Sequence, residues 1–379
     1  MAYQNYWFRN KKLVYLKKSI NLNKFDMKKI ILILVMTPLL CWSQIVNETM
    51  FFDALQREYI VYLPTNYSDQ SELPVVFNFH GGAGFAQDYI QINDMRPIAD
   101  TAQFIAVYPQ GALDYDGAEP GSEPSTSWLH KAPTTHNDVN FISAIIDSLS
   151  SKYSIDEQRI YACGYSEGAI FSYELACRLN QKIAAVAAVS GSMLTDFFRE
   201  DYGFGLCTPT HPTAIMLIPG TADYSFHANY EGYEPYYLSA ESIINYWSDY
   251  NNTDQDPIVD AIEDINPYDG STVERRSWLN GENCVAIEEL KVIDGGHDWP
   301  GAYGNMDISA SSEIWNFVSK YDLNGLIDCS TSFIKNNKQT EPKLIKSINI
   351  LGQENKNRKN ALLIQIYDDG SVERKIIID

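Results

Sequence analysis

A chain of 379 residues that is 45% hydrophobic can bury one large core, with or without a small appendage, and needs no disulfide to do so. Its 29 basic and 49 acidic residues are unevenly placed: residues 1–43 hold eight Lys/Arg and one Asp, residues 330–379 hold nine and six, and the stretch between holds 12 against 42, a formal charge of −30. Affinity for nucleic acid rests on Lys and Arg neutralising phosphates, so this balance excludes a nucleic-acid ligand.

The first element is a targeting segment. From Met27 the chain reads Lys28, Lys29, an apolar run over residues 30–40, then Cys41, Trp42 and Ser43. This is the pattern of a secretory signal peptide cut after Ser43, and the run is too short to span a bilayer as a helix. Leu40, where a lipoprotein would carry a small residue, argues against lipidation. Residues 1–26 carry no domain-like pattern and read as an extension upstream of Met27. The expected location is extracellular or the cell surface.

Beyond Gln44, strand-like runs at residues 59–63, 75–79, 104–108, 159–163, 183–189, 214–218 and 285–293 alternate with helical patterns. The helices are expected near residues 141–149, 169–179, 238–250 and 308–321. In the first of them Phe141, Ile142, Ile145, Ile146 and Leu149 recur at helical spacing, and either Asn137 or Asp138 can cap its start. Alternation of this kind predicts an α/β domain over residues 44–328, a mostly parallel sheet with helices on both faces. Residues 329–345 are polar and read as a linker. From residue 346 the runs 347–352, 361–367 and 371–378, with Asp368-Asp369-Gly370 as a turn, predict a small C-terminal β appendage.

Once Cys41 leaves with the signal, five cysteines remain, an odd number that forbids complete pairing within one molecule. Cys163 lies in a central strand. The other four allow three connectivities, of which Cys177 with Cys207 is favoured. No spacing resembles a metal site, and neither metal nor organic cofactor is implied.

The chemistry enters at Gly164-Tyr165-Ser166-Glu167-Gly168, between a strand and a helix. A G-x-S-x-G there makes a strained turn that lifts the serine hydroxyl off the sheet, and the Glu167 amide at the helix start faces a developing oxyanion. A serine hydroxyl needs a histidine base, and the base needs a carboxylate to fix its tautomer. His297 follows a late strand in a Gly-rich loop. Asp223 ends the turn after the strand at 214–218 and keeps the chain order Ser, Asp, His, whereas Asp294 and Asp298 read as solvated loop carboxylates. His80-Gly81-Gly82-Ala83-Gly84 after an early strand supplies further amides to the oxyanion site, Gly82 first and Gly81 beside it, with His80 a packed support. Trp128, Tyr165 and Trp299, with Tyr230, Tyr233, Tyr236 and Tyr237, are candidates for an aromatic substrate platform, or for core and rim packing.

Taken in order, HGGAG from His80, NDVNFISAIIDSL from Asn137, RIYACGYSEG from Arg159, LACRL from Leu175, IPGTAD from Ile218 and GGHDWPG from Gly295 resemble the poly(3-hydroxybutyrate) depolymerase and feruloyl esterase family of α/β-hydrolases, over about residues 59–321. The resemblance implies Ser166 as nucleophile, Asp223 as acid, His297 as base and a surface aromatic cleft. Asn140, where relatives often carry glycine, and Glu167, in place of a small or neutral residue, depart from the pattern; a Glu167 carboxylate beside the nucleophile would disfavour anionic substrates. The implied substrate is a polymer-attached ester, first a feruloyl or acetyl ester of plant polysaccharide, second a 3-hydroxyalkanoate polyester. A surface binding module on a retired hydrolase scaffold is the remaining alternative, and the oligomeric state is left open. The ending SINILGQ…IYDDGSVERKIIID resembles the sorting tails of type IX secretion, which implies the secretion machinery as a partner.

Overall fold

The computed structural model describes residues 44–114, 125–128, 137–201, 203–329, 344–349, 361–367 and 372–377. The expected signal peptide, the linker beyond residue 329 and the turn at 368–370 lie outside them.

Among the described residues, ten strands form the main sheet, and seven α-helices belong to the same stretch of chain. In chain order the elements are β1 (Gln44–Phe52), β2 (Leu55–Leu63), β3 (Leu73–Phe79), α1 (Ala86–Ile92), α2 (Arg96–Ala102), β4 (Ile105–Pro109), the short pair β5 (Ala112–Asp114) and β6 (Ser125–Ser127), α3 (Asp138–Lys152), β7 (Ile155–Tyr165), α4 (Glu167–Arg178), β8 (Ala185–Val189), α5 (Asp196–Asp201), β9 (Ala214–Ile218), α6 (Ala240–Asn251), β10 (Ile258–Ala261), β11 (Thr272–Trp278), β12 (Ile287–Ile293) and α7 (Ala310–Val318). The sheet order is β1-β2-β4-β3-β7-β8-β9-β12-β11-β10. From β4 to β12 neighbouring strands run parallel, while β1-β2-β4 at one edge and β12-β11-β10 at the other are antiparallel. The central strands are buried along their whole length and so read as unbroken apolar runs.

Two separate apolar clusters cover the two faces of the sheet. Tyr59, Val61 and Leu63 of β2 join Phe141, Ile142, Ile145 and Leu149 of α3 on one face, and the alternate residues Ile60 and Tyr62 join Ala99, Ile314 and Phe317 on the other. That division follows from the two-residue period of a strand. Asn137, not Asp138, caps α3: its side chain accepts from the Asn140 amide at 3.1 Å. Asp138 is instead buried, taking a 2.6 Å ion-pair hydrogen bond from Arg57.

Strands β1, β10 and β11 escape the sequence pattern. Their apolar content is diluted because they are edge or next-to-edge elements; β10 is exposed throughout, and β11 carries Arg275 and Arg276, which pair with Glu288 and Glu289 of β12. Disulfides join Cys177 to Cys207 and Cys284 to Cys329, and Cys163 is a buried thiol whose Sγ donates to Asn78 Oδ1 at 3.1 Å. Cys329 is thereby tied back beside β12, so the expected domain limit at residue 328 falls one residue short. At the C-terminus β15 (Leu344–Asn349), β16 (Ala361–Tyr367) and β17 (Val372–Ile377) form a three-stranded antiparallel sheet; the small hairpin β13 (Tyr321–Asp322) and β14 (Gly325–Leu326) precedes it.

Candidate active site

Ser166 sits between β7 and α4 with φ 56° and ψ −120°, a conformation that L residues avoid and that a surrounding structure must impose. The flanking glycines show how. A Cβ on Gly164 would lie 2.2 Å from the Gly168 carbonyl oxygen, and one on Gly168 would lie 2.2 Å from the carbonyl oxygen of Phe79 at the end of β3. Only with both Cβ atoms missing can α4 rise so steeply beside β3. The Ser166 amide still donates to Val189 at 2.9 Å, which anchors the turn to β8.

Asp223 and His297 arrive on two loops that are joined by their backbones. Thr221 donates to Val292 at 2.9 Å and Ala222 to Gly295 at 2.8 Å. Across this junction His297 Nδ1 lies 2.6 Å from Asp223 Oδ2, and His297 Nε2 lies 3.0 Å from Ser166 Oγ. The other Asp223 oxygen accepts from the Ser225 amide at 3.0 Å, so a carboxylate only 2% exposed has both oxygens engaged. A buried carboxylate on Nδ1 selects the tautomer that leaves Nε2 bare toward the serine. Asp298 is turned away, accepting from the Gly296 amide, and Asp294 stands on the rim with its own amide donating to Thr221.

The cleft over Ser166 encloses about 230 Å³ and is lined by Gly82, Ala83, Ser166, Glu167, Phe226, His227 and Tyr237. Gly82 and Glu167 thus border it, while Gly81 lies behind the nucleophile, where a Cβ would come within 3.2 Å of Ser166 Cβ. His80 is a support: its Nε2 accepts from the Gly111 amide at 2.9 Å, which leaves Nδ1 to donate to the Gly81 carbonyl at 2.7 Å. Burial pushes its pKa down to about 4, so it stays neutral under the loop it braces.

The three aromatic residues first expected at the substrate are placed elsewhere. Trp128 is fully buried, stacked on Phe171 with ring centroids 4.9 Å apart, and its indole donates to the His80 carbonyl at 2.8 Å. Trp299 is buried against Tyr89 and Tyr165, its indole directed to Ser311. Tyr165 packs on the His297 ring and donates its hydroxyl to the His297 carbonyl at 2.8 Å, so it braces the imidazole. Each of these large rings is worth more filling the layer beneath the site than exposed above it. The Glu167 carboxylate is buried as well, accepting from Ser127 Oγ at 2.7 Å, so it does not present a free charge beside the nucleophile as its position in the sequence suggested.

The cleft's aromatic wall comes from the loop after Asp223. Phe226 is exposed and stands edge-on to Tyr237 and Tyr233, and Tyr233 stacks on Tyr236. Tyr230, by contrast, is tied to Glu289 at 3.0 Å. Phe226 and His227 were not anticipated. His227 Nε2 lies 3.0 Å from Ser166 Oγ, the same distance as His297 Nε2. The only signal was its position four residues beyond Asp223 in one loop, which a search for a base at a strand end passes over.

Residues 57–200 match the family model described as esterase PHB depolymerase. Similar characterised proteins include a bifunctional acetylxylan esterase/xylanase of Neocallimastix patriciarum, 27% identical over 76% of this chain and 36% of that protein, and feruloyl esterase B of Piromyces equi, 25% identical over 70% and 46%. The chain therefore spans less than half the length of either. Among solved structures, the acetyl xylan esterase from Aspergillus awamori superposes with a TM-score of 0.51 at 16% identity, covering 73% of this chain and 99% of that one, a likeness of fold. Residues 57–200 are thus similar to the esterase PHB depolymerase family, and the fold is an α/β-hydrolase fold.

Proposed function

We propose that this protein is an exported serine esterase that removes acetyl or feruloyl groups from plant polysaccharide through an acyl-enzyme. The observation that carries the reading is the unbroken sequence Ser166 Oγ to His297 Nε2 at 3.0 Å and His297 Nδ1 to Asp223 at 2.6 Å, opening on a cleft. His297 takes the Ser166 proton as Oγ attacks the ester carbonyl carbon. Amides of Gly82 and Glu167 hold the oxyanion; the bond to the alcohol oxygen breaks and His297 returns the proton to that oxygen. Water, activated by the same imidazole, then adds to the acyl-Ser166 and frees the acid.

The substrate class is supported by the printed activities of the relatives, an acetylxylan esterase and a feruloyl esterase, and by a cleft at the small end of ligand sites. Export is supported by two disulfides, which persist in oxidising compartments, and by the signal-like segment at residues 27–43. The C-terminal strands would serve sorting; unchanged release of a chain ending at Lys343 would remove that part. The activity is tested by product analysis of purified protein on acetylated xylan, feruloylated arabinoxylan and poly(3-hydroxybutyrate). Acetate or ferulate is the expected product. Release of 3-hydroxybutyrate alone would favour the polyester reading, and no acid from any of them would contradict the proposal.

A further inference from the structure

A serine hydroxyl has one proton, yet two imidazole nitrogens lie 3.0 Å from Ser166 Oγ. Their roles cannot be the same. Asp223 fixes the His297 proton on Nδ1, so His297 Nε2 is bare and takes the hydroxyl proton. The only favourable bond left between His227 and Oγ is one in which His227 Nε2 carries a hydrogen and donates it. Its neighbours hold the imidazole in place for this. The His227 carbonyl accepts from the Ser192 amide at 2.9 Å, Phe226 stands edge-on to the ring with centroids 4.9 Å apart, and the ring meets His297 edge-on at 5.4 Å.

An N–H donated to the attacking oxygen holds one of its lone pairs and makes it a weaker nucleophile. It is useful only if substrate takes it over. His297 must hand its proton to the departing alcohol oxygen, so the alcohol half of the ester has to pass beside His297 Nε2, where the His227 ring forms the adjoining wall. We propose that His227 is the residue that reads the alcohol half of the ester. Its Nε2–H turns its hydrogen bond from Ser166 Oγ to an oxygen on the carbon adjacent to the one that bears the ester oxygen, the vicinal arrangement a sugar ring provides and a simple alkyl alcohol lacks. Binding such an alcohol frees the Ser166 lone pair as it docks. The proposal rests on the Ser166–His297–Asp223 reading and adds selectivity to it.

The test compares kcat/KM for a monoacetylated xylose with kcat/KM for ethyl acetate in wild type, His227→Phe and His227→Gln. Loss of one hydrogen bond predicts that the sugar-to-ethyl ratio falls about tenfold in His227→Phe, and that Gln, which restores an N–H at similar reach, recovers part of it. Structural integrity of each variant is read separately from labelling of Ser166 by a small phosphonate. A ratio that stays at the wild-type value in both variants, or two esters that lose rate by the same factor, overturns the assignment. If wild type hydrolyses neither ester and Ser166 takes no label, the esterase reading falls and this one with it.

Discussion

The two sides of Ser166 are built on different principles. On one side His80, Trp128, Tyr165 and Trp299 are buried or braced, and each has its polar group committed to a neighbour: His80 to Gly81, Trp128 to His80, Tyr165 to His297 and Trp299 to Ser311. On the other side residues 224–237 put Tyr224, Phe226, Tyr233 and Tyr236 into solvent. The first side leaves little freedom and holds the proposed nucleophile, base and oxyanion amides in place; the second is free to vary, and so is where we place substrate choice.

The comparison is broken most severely at the chemistry. Ser166→Ala should lower kcat by about 10⁴-fold or more, and Asp223→Asn, which loses the tautomer selection, by about 10³–10⁴-fold. Near-wild-type turnover of an activated ester by either variant would show that the fixed side does not do the work assigned to it. Next in size is a contrast between two rings. Trp128→Ala should cost about 3–5 kcal/mol in a denaturant titration, as expected for emptying a fully buried site beneath the oxyanion loop. Phe226→Ala should change stability by less than about 1 kcal/mol and act on KM instead, because the ring is exposed. Equal effects of the two on unfolding would erase the distinction.

A further prediction for the fixed side concerns pH. His80 has a folded pKa depressed to about 4 from its ordinary 6.5, mainly by burial. Between those values the unfolded chain binds a proton that the folded one refuses. The contribution is therefore complete above pH 6.5 and is lost as pH falls toward 4, about 3 kcal/mol in all. The unfolding free energy of wild type relative to His80→Asn should fall by that amount from pH 7 to pH 4; a difference independent of pH would mean that the imidazole is not neutral under its loop.

Much of the fixed side was legible in the sequence, for a physical reason. Parallel strands buried on both faces leave unbroken apolar runs, and the turn at Ser166 requires glycines where it does, so β3, β7, β8, β9 and the GYSEG motif announce themselves. The edge strands β1 and β10 and the next-to-edge strand β11 do not, because half or more of their surface meets water or is covered by ion pairs such as Arg276 with Glu289. Trp128 and Trp299 could be read either as cleft or as packing residues, because composition cannot distinguish a ring above a site from one beneath it; both are buried. His227 went unnoticed because its meeting with Ser166 depends on how the loop after β9 folds back, a long-range fact that no local pattern records.

The account depends most on His297 making Ser166 reactive. Labelling with a fluorophosphonate, followed by peptide mass analysis in wild type and His297→Gln, tests this directly. A single adduct on Ser166 that forms in wild type and is slowed by several orders of magnitude in His297→Gln is the predicted result. Labelling of Ser166 at the wild-type rate without His297, or an adduct on another serine, would contradict it.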